Sequence, residues 1–341
     1  MVGRAKTLEL RTSPHLLSGY SVDTIMFNVV LALAPATVFA IYAFGWAAFL
    51  TLVVATASCV LTEHLYARWT ASPSPVSDWS AVITGLLYGL TLPPDLPLWM
   101  TAVGGAVSMV LGKLMFGGLG SNPFNPALVG RAFLQAAFPV SMTHWIPAFL
   151  PDRFASVPTS VIAWPFGQPH YDAVSSATPL ALWKFDQNLT GARDLAFGLV
   201  SGSVGETSAV LILLGGIYLV ARNMMSWRIP AAILATVAVF SQILHAADPA
   251  RYADAAFHLF AGGLMLGAVF MATDMVTSPL TKTGGILFGI VVGILVVLIR
   301  VWGGMPEGVM YAILIGNALS PHLDNWFRPK VYGTGGRSGQ P

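Results

Sequence analysis

Five long runs of predominantly apolar residues constrain this chain more than any other feature. They lie at 25–44, 46–66, 98–116, 229–247 and 285–302. A straight helix needs about 20 apolar residues to cross the hydrocarbon core of a bilayer. Only 9% of the residues are charged, against about 25% in an average soluble domain. The chain is therefore predicted to be an all-α integral membrane protein, which excludes an ordinary cytosolic enzyme, a disordered chain and a secreted disulfide scaffold.

Five shorter apolar segments accompany the long runs. They lie at 80–92, 124–138, 208–221, 257–272 and 307–319, and prolines or glycines interrupt the chain beside them. Short spans broken in this way are typical of discontinuous helices that surround a buried site. We therefore predict about ten transmembrane segments, with some helices discontinuous.

The glycine pattern of the first half recurs in the second half. Gly-x-x-x-Gly spans 85–89 and again 263–267, and a Gly-Gly pair followed by Gly-x-Ala spans 117–132 and again 303–318. With five segments in each half, the odd number inverts the second half relative to the first. We predict two five-segment inverted repeats; the alternative is that glycine simply recurs at helix contacts.

The distribution of lysine and arginine sets the predicted orientation, because cytoplasmic loops carry an excess of these residues. With a cytoplasmic N-terminus and ten crossings, the outside loops hold only Arg153, Lys184, Arg193 and Arg251. The inside segments hold Arg4, Lys6, Arg11, Arg68, Arg222, Arg228, Lys282, Arg328, Lys330 and Arg337. Both termini are thus predicted to be cytoplasmic.

These assignments divide the chain into five parts. They are a cytoplasmic N-terminal segment (1–23), a first membrane repeat (24–138), an outer, periplasmic loop (139–207), a second membrane repeat (208–326) and a cytoplasmic tail (327–341). The polar first segment predicts no cleaved signal peptide. The outer loop is expected to be ordered by short local structure and not by a core of its own.

A run of small residues in the outer loop ends in Thr178 followed by Pro179. A proline biases the residue before it away from helix and toward extended geometry. Thr178 is therefore predicted to be extended, with an exposed hydroxyl that a modifying enzyme can reach. On chemistry alone, an unmodified polar loop is the simpler interpretation.

The same run resembles the acceptor signature Asp-x-x-Ser/Thr-Gly-Ala-Thr, on which a flavin transferase esterifies the phosphate of FMN to the last threonine. Asp172, Ser175, Ala177 and Thr178 are in register with it, and Ser176 stands where the signature usually has glycine. A requirement for positive φ at this position would disfavour serine.

Four further segments resemble motifs of the RnfD/NqrB family, in the same order. They are 117–131 ("NxFNPA…GR"), 202–208 ("GSxGETS"), 271–279 ("MATDPVTSP", with Met275 for proline) and 303–308 ("GGYPEG"). Ser13-Pro14-His15 also fits, so the resemblance covers about 13–326. The chain is most similar to the RnfD branch, from the Rnf electron-transport complex, since the N-terminal extension of NqrB has no counterpart.

The resemblance implies a flavin-carrying subunit of an Rnf-type ferredoxin:NAD⁺ oxidoreductase complex in a bacterial inner membrane. It implies covalent FMN on Thr178, a non-covalent riboflavin, and electron relay coupled to translocation of Na⁺ or H⁺. The implied partners are the other Rnf subunits, among them a second flavinylated subunit and iron–sulfur subunits, together with a flavin transferase and membrane lipid. Such a subunit is not a complete enzyme alone. Net charge +2 gives no basic face for nucleic acid.

Three polar residues around the short segment 124–138 are candidate cofactor contacts. Arg131 within an apolar segment needs a partner or a cavity, so it either holds a flavin phosphate or reduced ring or pairs with an acid such as Glu206 or Asp274. Asn122 and Asn125 either bond the polar edge of an isoalloxazine or cap the broken helix.

Three more polar residues flank the second-half segments. Glu206 and Thr207 are predicted on the same outer side as Thr178, where they would neighbour the FMN; the alternative for Glu206 is to complement a helix dipole. Asp274 lies at a proline-containing break and is a candidate for ion coupling, or else a cap of the following half-helix. Glu63 and Glu307 are read as interfacial. The histidines and the single cysteine, Cys59, form no metal-ligand pattern.

Other functions remain open at this point. A small-solute channel or transporter without a redox role would also use inverted repeats and half-helices. An NqrB-like subunit that reduces a quinone, and a passive scaffold for other subunits, are further alternatives. A bound flavin distinguishes the redox roles from the transporter.

Overall fold

The computed structural model describes residues 21–71, 78–165, 176–206 and 208–328, and the regular secondary structure of this part of the chain is helical, without strands. The first half comprises α1 (Val22–Phe44), α2 (Trp46–Trp69), α3 (Ser80–Leu90), α4 (Leu98–Gly112) with a 3₁₀ turn (Leu114–Phe116), and α5 (Pro126–Ala137).

The described part of the connection between the halves contains three short helices, α6 (Pro139–Met142), α7 (Pro179–Asp186) and α8 (Ala192–Phe197). The second half comprises α9 (Ala209–Ala221), α10 (Arg228–Ala247), α11 (Ala255–Phe260), α12 (Leu264–Leu266) with a π-helix (Gly267–Met271), α13 (Lys282–Trp302) and α14 (Val309–Trp326).

Among the described residues, five helical stretches are long and apolar enough to cross a membrane. They are α1, α2, the Leu98–Phe116 stretch of α4 and its 3₁₀ turn, α10 and α13, and they coincide with the five long apolar runs of the sequence. The chain is therefore a multi-pass membrane protein.

The last helix is longer than the sequence predicted. The apolar segment 307–319 predicts a short helix, whereas α14 continues through Pro321 to Trp326. The extension could not be predicted from hydropathy, because the buried face of α14 includes the polar residues Asn317 and Ser320 beside Ile313 and Leu323. Hydropathy alone reads those polar positions as the end of a span.

The helices of the two halves pack in corresponding pairs. In the first half α2 packs on α3 and α4, and α4 packs on α5; in the second half α10 packs on α11 and α13, and α13 packs on α14. α1 and α9 pack on each other across the halves. This recurrence supports the predicted duplication, while the inverted relation and the ten crossings stay predictions.

Two glycines of the repeated pattern serve these contacts directly. A Cβ on Gly130 of α5 would stand 2.8 Å from the Gly104 carbonyl oxygen of α4. A Cβ on Gly316 of α14 would stand 2.7 Å from a methyl carbon of Val292 on α13. Each short or terminal helix thus approaches its long neighbour at a glycine, as small residues allow in membranes.

α13 defines two opposite ends of the protein. Its 21 residues rise about 31 Å at 1.5 Å per residue. Its first turn lines a small cavity that shares Met275 and Leu280 with the larger of the two cavities described below, and its last turn contacts α7. We call these the cavity end and the loop end.

Candidate functional site

Asn125 joins the two halves at the cavity end. Its Oδ1 accepts a hydrogen bond from the Ala127 N–H (3.0 Å), which caps α5, and its Nδ2 donates to the Met271 carbonyl oxygen (3.1 Å) at the end of the π-helix. The capping interpretation of Asn125 is thus confirmed. Both polar groups of this amide are occupied, so Asn125 holds two broken helices in register.

Asn122 and Asp274 meet beside this junction. The Asn122 amide donates to the Phe124 carbonyl oxygen (3.3 Å) and also hydrogen bonds to the Asp274 carboxylate. Asp274 accepts from the Val276 N–H (3.4 Å) and the Thr277 hydroxyl (3.3 Å), so it closes a turn. It does not cap α13, because Thr281 occupies that position.

Two neighbouring cavities open at this end. The first has a volume of about 100 Å³, and Asn122, Asn125, Asp274 and Lys113 contribute to its wall. The second has a volume of about 650 Å³, and Asn317 and Asp324 contribute polar groups to it. Both cavities share an apolar wall of Ile25, Met26, Leu119, Met275 and Val276.

Asn317 is the most unusual residue of the larger cavity. Its side chain is 2% exposed, and neither amide atom has a hydrogen-bond partner among the residues that the structure describes. An unpartnered buried amide costs about 1–3 kcal/mol per group. In the repeated glycine pattern, Asn317 follows Gly316 as Arg131 follows Gly130. A ligand in the cavity would satisfy it.

Lys113 and Glu63 form an ion pair next to the smaller cavity. The Lys113 Nζ lies 2.5 Å from the Glu63 Oε1, and the two side chains are 3% and 1% exposed. Lys113 also donates to the Ser80 hydroxyl (2.6 Å). Glu63 is thus enclosed by the protein, and a cation fifty residues along the chain makes its burial tolerable; its interfacial depth in the membrane stays a prediction.

Thr178 lies at the loop end. Its backbone is extended (φ −68°, ψ 154°), as Pro179 predicted, and its hydroxyl accepts from the Ala181 N–H (3.3 Å) to cap α7. The side chain is only 4% exposed, so the prediction of an exposed hydroxyl was wrong. The residue that caps α7 is carried inward when that helix packs on the membrane helices.

The structure describes only some of the residues that precede Thr178 in the acceptor run. Ala177 is exposed, whereas Asp172 and Ser175 lie outside the described residues. The Ser176 N–H donates to the Trp145 carbonyl oxygen (2.9 Å), and Ser176 is not among the residues with positive φ. Serine in place of glycine therefore causes no backbone strain here.

α7 is anchored by both apolar and polar contacts. Leu180 and Trp183 are buried with Phe257 and Ala261 in a small cluster. The Lys184 ammonium donates to the carbonyl oxygens of Arg300 (2.9 Å), Gly303 (2.5 Å) and Met305 (3.0 Å) at the end of α13. Within the described residues 176–206, the short helix α7 is thus docked on the membrane helices.

A cluster of buried charges lies next to the start of α7. Arg131 pairs with Glu307 (Nη2 to Oε2, 2.7 Å), and the other oxygen of Glu307 accepts from the Gly263 N–H (2.9 Å). The interpretation of Arg131 as one half of a structural ion pair is confirmed, but its partner is Glu307 and not Glu206 or Asp274, the acids given as examples. A Cβ on Gly262, which has φ +67°, would lie within 2.6 Å of Leu180, so this glycine brings the cluster against α7.

Glu206 reaches this cluster on a loop that is tied to the first half. The Val204 and Gly205 N–H groups donate to carbonyl oxygens at the end of α3 (3.0 and 2.6 Å). Glu206 then hydrogen bonds to Glu307 and Ser203. It lies two residues before Ser208, which caps α9. Thr207 lies outside the described residues.

Arg300 completes the cluster from α13. Its guanidinium is fully buried and donates to the His258 (2.5 Å) and Ala261 (2.8 Å) carbonyl oxygens. Sequence reasoning missed Arg300 because it ends an apolar run, where cations are common. The available signal was the position of Arg300 three residues before the GGMPEG segment, in which Glu307 is the only acid.

Helix α5 connects the residue group of the cavity end with the charge cluster of the loop end. Asn125 and Arg131 are six positions apart, which is a rise of about 9 Å along a helix. The structure therefore gathers the predicted residues into two groups joined by α5. No group of three or more potential metal ligands occurs within 21–71, 78–165, 176–206 and 208–328.

The role of Asn125 predicts a measurable loss of stability. Asn125→Ala removes the cap of α5 and the bond to Met271, and we expect it to lower the free energy of unfolding by about 2–3 kcal/mol. Asn125→Ser keeps a capping hydroxyl but loses the donor, so its cost should be about half. Thermal unfolding in detergent measures both; equal losses would contradict the link between the halves.

Comparison with known proteins agrees with the motif order. The sequence profile of the NQR2, RnfD, RnfE family matches residues 9–333. The D subunit of the ion-translocating oxidoreductase complex of Halorhodospira halophila is 40% identical over 340 residues, which covers 95% of each chain.

Two further relatives are named for different ions. The D subunit of the proton-translocating ferredoxin:NAD(+) oxidoreductase complex of Clostridium ljungdahlii is 38% identical over 335 residues, 95% of this chain and 96% of the relative. The D subunit of the Na(+)-translocating ferredoxin:NAD(+) oxidoreductase complex of Acetobacterium woodii is 39% identical over 330 residues, 96% of this chain and 95% of the relative.

Proposed function

Because the chain belongs to the NQR2, RnfD, RnfE family, we propose that it is the flavin-carrying membrane component, of the RnfD type, in an ion-translocating ferredoxin:NAD⁺ oxidoreductase complex. Relatives that match almost its whole length are named as the D subunits of such complexes. In this proposal the chain works in the bacterial inner membrane with the other Rnf subunits, among them iron–sulfur and flavinylated ones. It passes electrons between them and is not an enzyme by itself.

The acceptor for covalent FMN in this proposal is Thr178. The observation that carries it is the acceptor run itself, whose last threonine sits at the N-terminus of α7. A phosphoester there would place its negative charge at the positive end of the helix dipole. Arg131 and Arg300 lie in the adjacent cluster, which favours an anion on this side.

The cavity end is the proposed seat of riboflavin. The 650 Å³ cavity is large enough for a tricyclic ring, and its apolar wall with few polar groups is typical of cofactor sites. The unpartnered amide of Asn317 has one acceptor and two donors, which fits the imide edge of an isoalloxazine. Asn122 lies in the contiguous smaller cavity. The flavins supply the redox chemistry, and the chain positions them and limits access of water.

The same arrangement offers a place for ion coupling. Asp274 lies at a broken helix beside both Asn122 and the apolar wall, where a carboxylate is suited to carry a cation or proton. Relatives of nearly equal identity are named for protons and for sodium, so family membership does not specify the ion. Asp274→Asn removes the negative charge but keeps the size of the side chain, so it tests whether this carboxylate couples electron transfer to ion movement.

The test of the proposed function is covalent flavin on the polypeptide. The full chain is co-expressed with a flavin transferase, denatured and viewed in the gel under ultraviolet light. A fluorescent band at the size of the chain, followed by flavin on the peptide that contains Thr178 in mass spectrometry, is expected. A dark band from well-expressed protein would overturn the assignment and favour a transporter without a redox role.

Asn317 gives a separate prediction for the non-covalent flavin. Asn317→Leu removes two or more hydrogen bonds to the ring, and we expect riboflavin affinity to fall about 10–100-fold at about 1 kcal/mol per bond. Flavin fluorescence of the protein after desalting measures retention. Asn325→Leu, on the exposed end of α14, is the control; equal retention in both variants would contradict the assignment.

A further inference from the structure

Glu206 and Glu307 approach each other in the charge cluster at the loop end. Their Oε1 atoms lie 3.8 and 3.9 Å from the same point, where a Cβ on Gly263 would stand. The two carboxyl groups therefore share one enclosed site and act on each other directly. The Glu206 Oε1 is enclosed and has no donor among the described residues.

This contact requires a proton. An ionised carboxylate only accepts hydrogen bonds, so two of them cannot bond to one another. Glu307 is already held as a carboxylate by Arg131 and by the Gly263 N–H. The proton therefore resides mainly on Glu206, which donates to the neighbouring carboxylate. Two carboxyl groups that share one site keep one proton for the same reason.

The surrounding charges agree with this protonation state. The groups that face the pair from other elements are cationic or neutral: Arg131 on α5, Arg300 on α13, and the Ser203 hydroxyl on the loop before α9. With one shared proton the cluster carries a net charge of +1, and without it the charge is zero. Lys184 and His258 contact Arg300 or its backbone, not the pair.

We propose that Glu206 and Glu307 form a proton-binding site in which the two carboxyl groups share one proton and exchange it with water at the loop end. The Glu307 side chain is 18% exposed, which gives the proton a short route to solvent. This inference rests on the proposed function in one respect: the charge of the site lies next to the acceptor Thr178. An anionic phosphoester there strengthens proton binding, and the proton in turn favours the anion.

The sign of the pH dependence follows from the pair. Burial, and then the charge of Glu307, raise the pKa of Glu206 from 4.5 to about 8. A carboxyl with a raised folded-state pKa contributes stability below its unfolded pKa that is lost as pH rises through the folded value. The unmodified chain should therefore unfold at progressively lower temperature between pH 4.5 and about pH 8. Glu206→Gln, which keeps the donor, should remove this slope.

Infrared spectroscopy of the full, unflavinylated chain in lipid nanodiscs tests the site directly. We expect a carboxylic acid C=O band that persists well above pH 4.5 and disappears near pH 8. The band should be missing in Glu206→Gln. It should remain in Asp274→Asn, which controls for the enclosed carboxyl of the cavity end. A band that remains in Glu206→Gln, or that is missing only in Asp274→Asn, would overturn the proposal.

The flavinylated chain separates the two hypotheses. If flavin is attached, the loss of the band should shift to higher pH than in the unmodified chain. A dark gel with an intact band would remove the proposed function and leave the proton site. A fluorescent gel together with a missing infrared C=O band would support the proposed function and overturn the proton site.

Discussion

Replacing Thr178 with asparagine is expected to leave a folded chain that carries no covalent flavin. Asparagine caps a helix as well as threonine does, so the bond to the Ala181 N–H has a replacement. It has no hydroxyl to form a phosphoester. In-gel fluorescence after co-expression with a flavin transferase should fall to the background of an unmodified chain, while thermal unfolding should shift little.

Two matched variants sharpen this prediction. Thr178→Ser keeps both the cap and a hydroxyl, so it should retain fluorescence to an extent set by the transferase. Thr143→Val removes an exposed hydroxyl of the same loop and should change nothing. Undiminished fluorescence in Thr178→Asn would mean that another residue is the acceptor, and Ser176, two positions away, would be tested next.

Lys113→Met is expected to destabilise the protein by about 3–5 kcal/mol, because it leaves the buried Glu63 carboxylate without its cation. The pair is almost fully enclosed, so water cannot replace the lost partner. The Ser80 hydroxyl, which already bonds to Asp78 (2.5 Å), offers poor compensation. Thermal and denaturant unfolding in detergent should both show the loss.

The double variant Lys113→Met with Glu63→Met provides the control. Removing both charges also removes the cost of keeping them enclosed in the protein, so the double variant should recover most of the stability. If it is as unstable as Lys113→Met alone, the side chains matter for packing and not as an ion pair. If Lys113→Met is harmless, the ion pair contributes little to stability.

The long helices could be predicted from the sequence because a bilayer fixes how many consecutive apolar residues a crossing needs. The extended backbone at Thr178 followed from Pro179 for an equally local reason. The pairing of Arg131 with Glu307 could not be predicted in this way, since the residues are 176 positions apart. Local patterns name the residue that needs a partner but not the partner.

Burial was the second quantity that local patterns missed. Thr178 and Glu63 are polar and lie near the ends of segments, so both were read as exposed or interfacial. The structure buries the first because α7 docks through Leu180 and Trp183, and the second because Lys113 reaches it. In each case a tertiary contact decides the exposure.

The enclosed hydroxyl of Thr178 has a consequence for the order of biogenesis. Covalent attachment needs the acceptor oxygen in contact with a transferase, and a 4% exposed side chain that also caps α7 does not permit this contact. If Thr178 is the acceptor, as proposed, attachment occurs after the helices insert and before α7 docks, or during a transient release of α7. Flavin transfer to Thr178 would then compete with the docking of α7. The fraction of purified protein that carries flavin would measure the relative rates of the two processes.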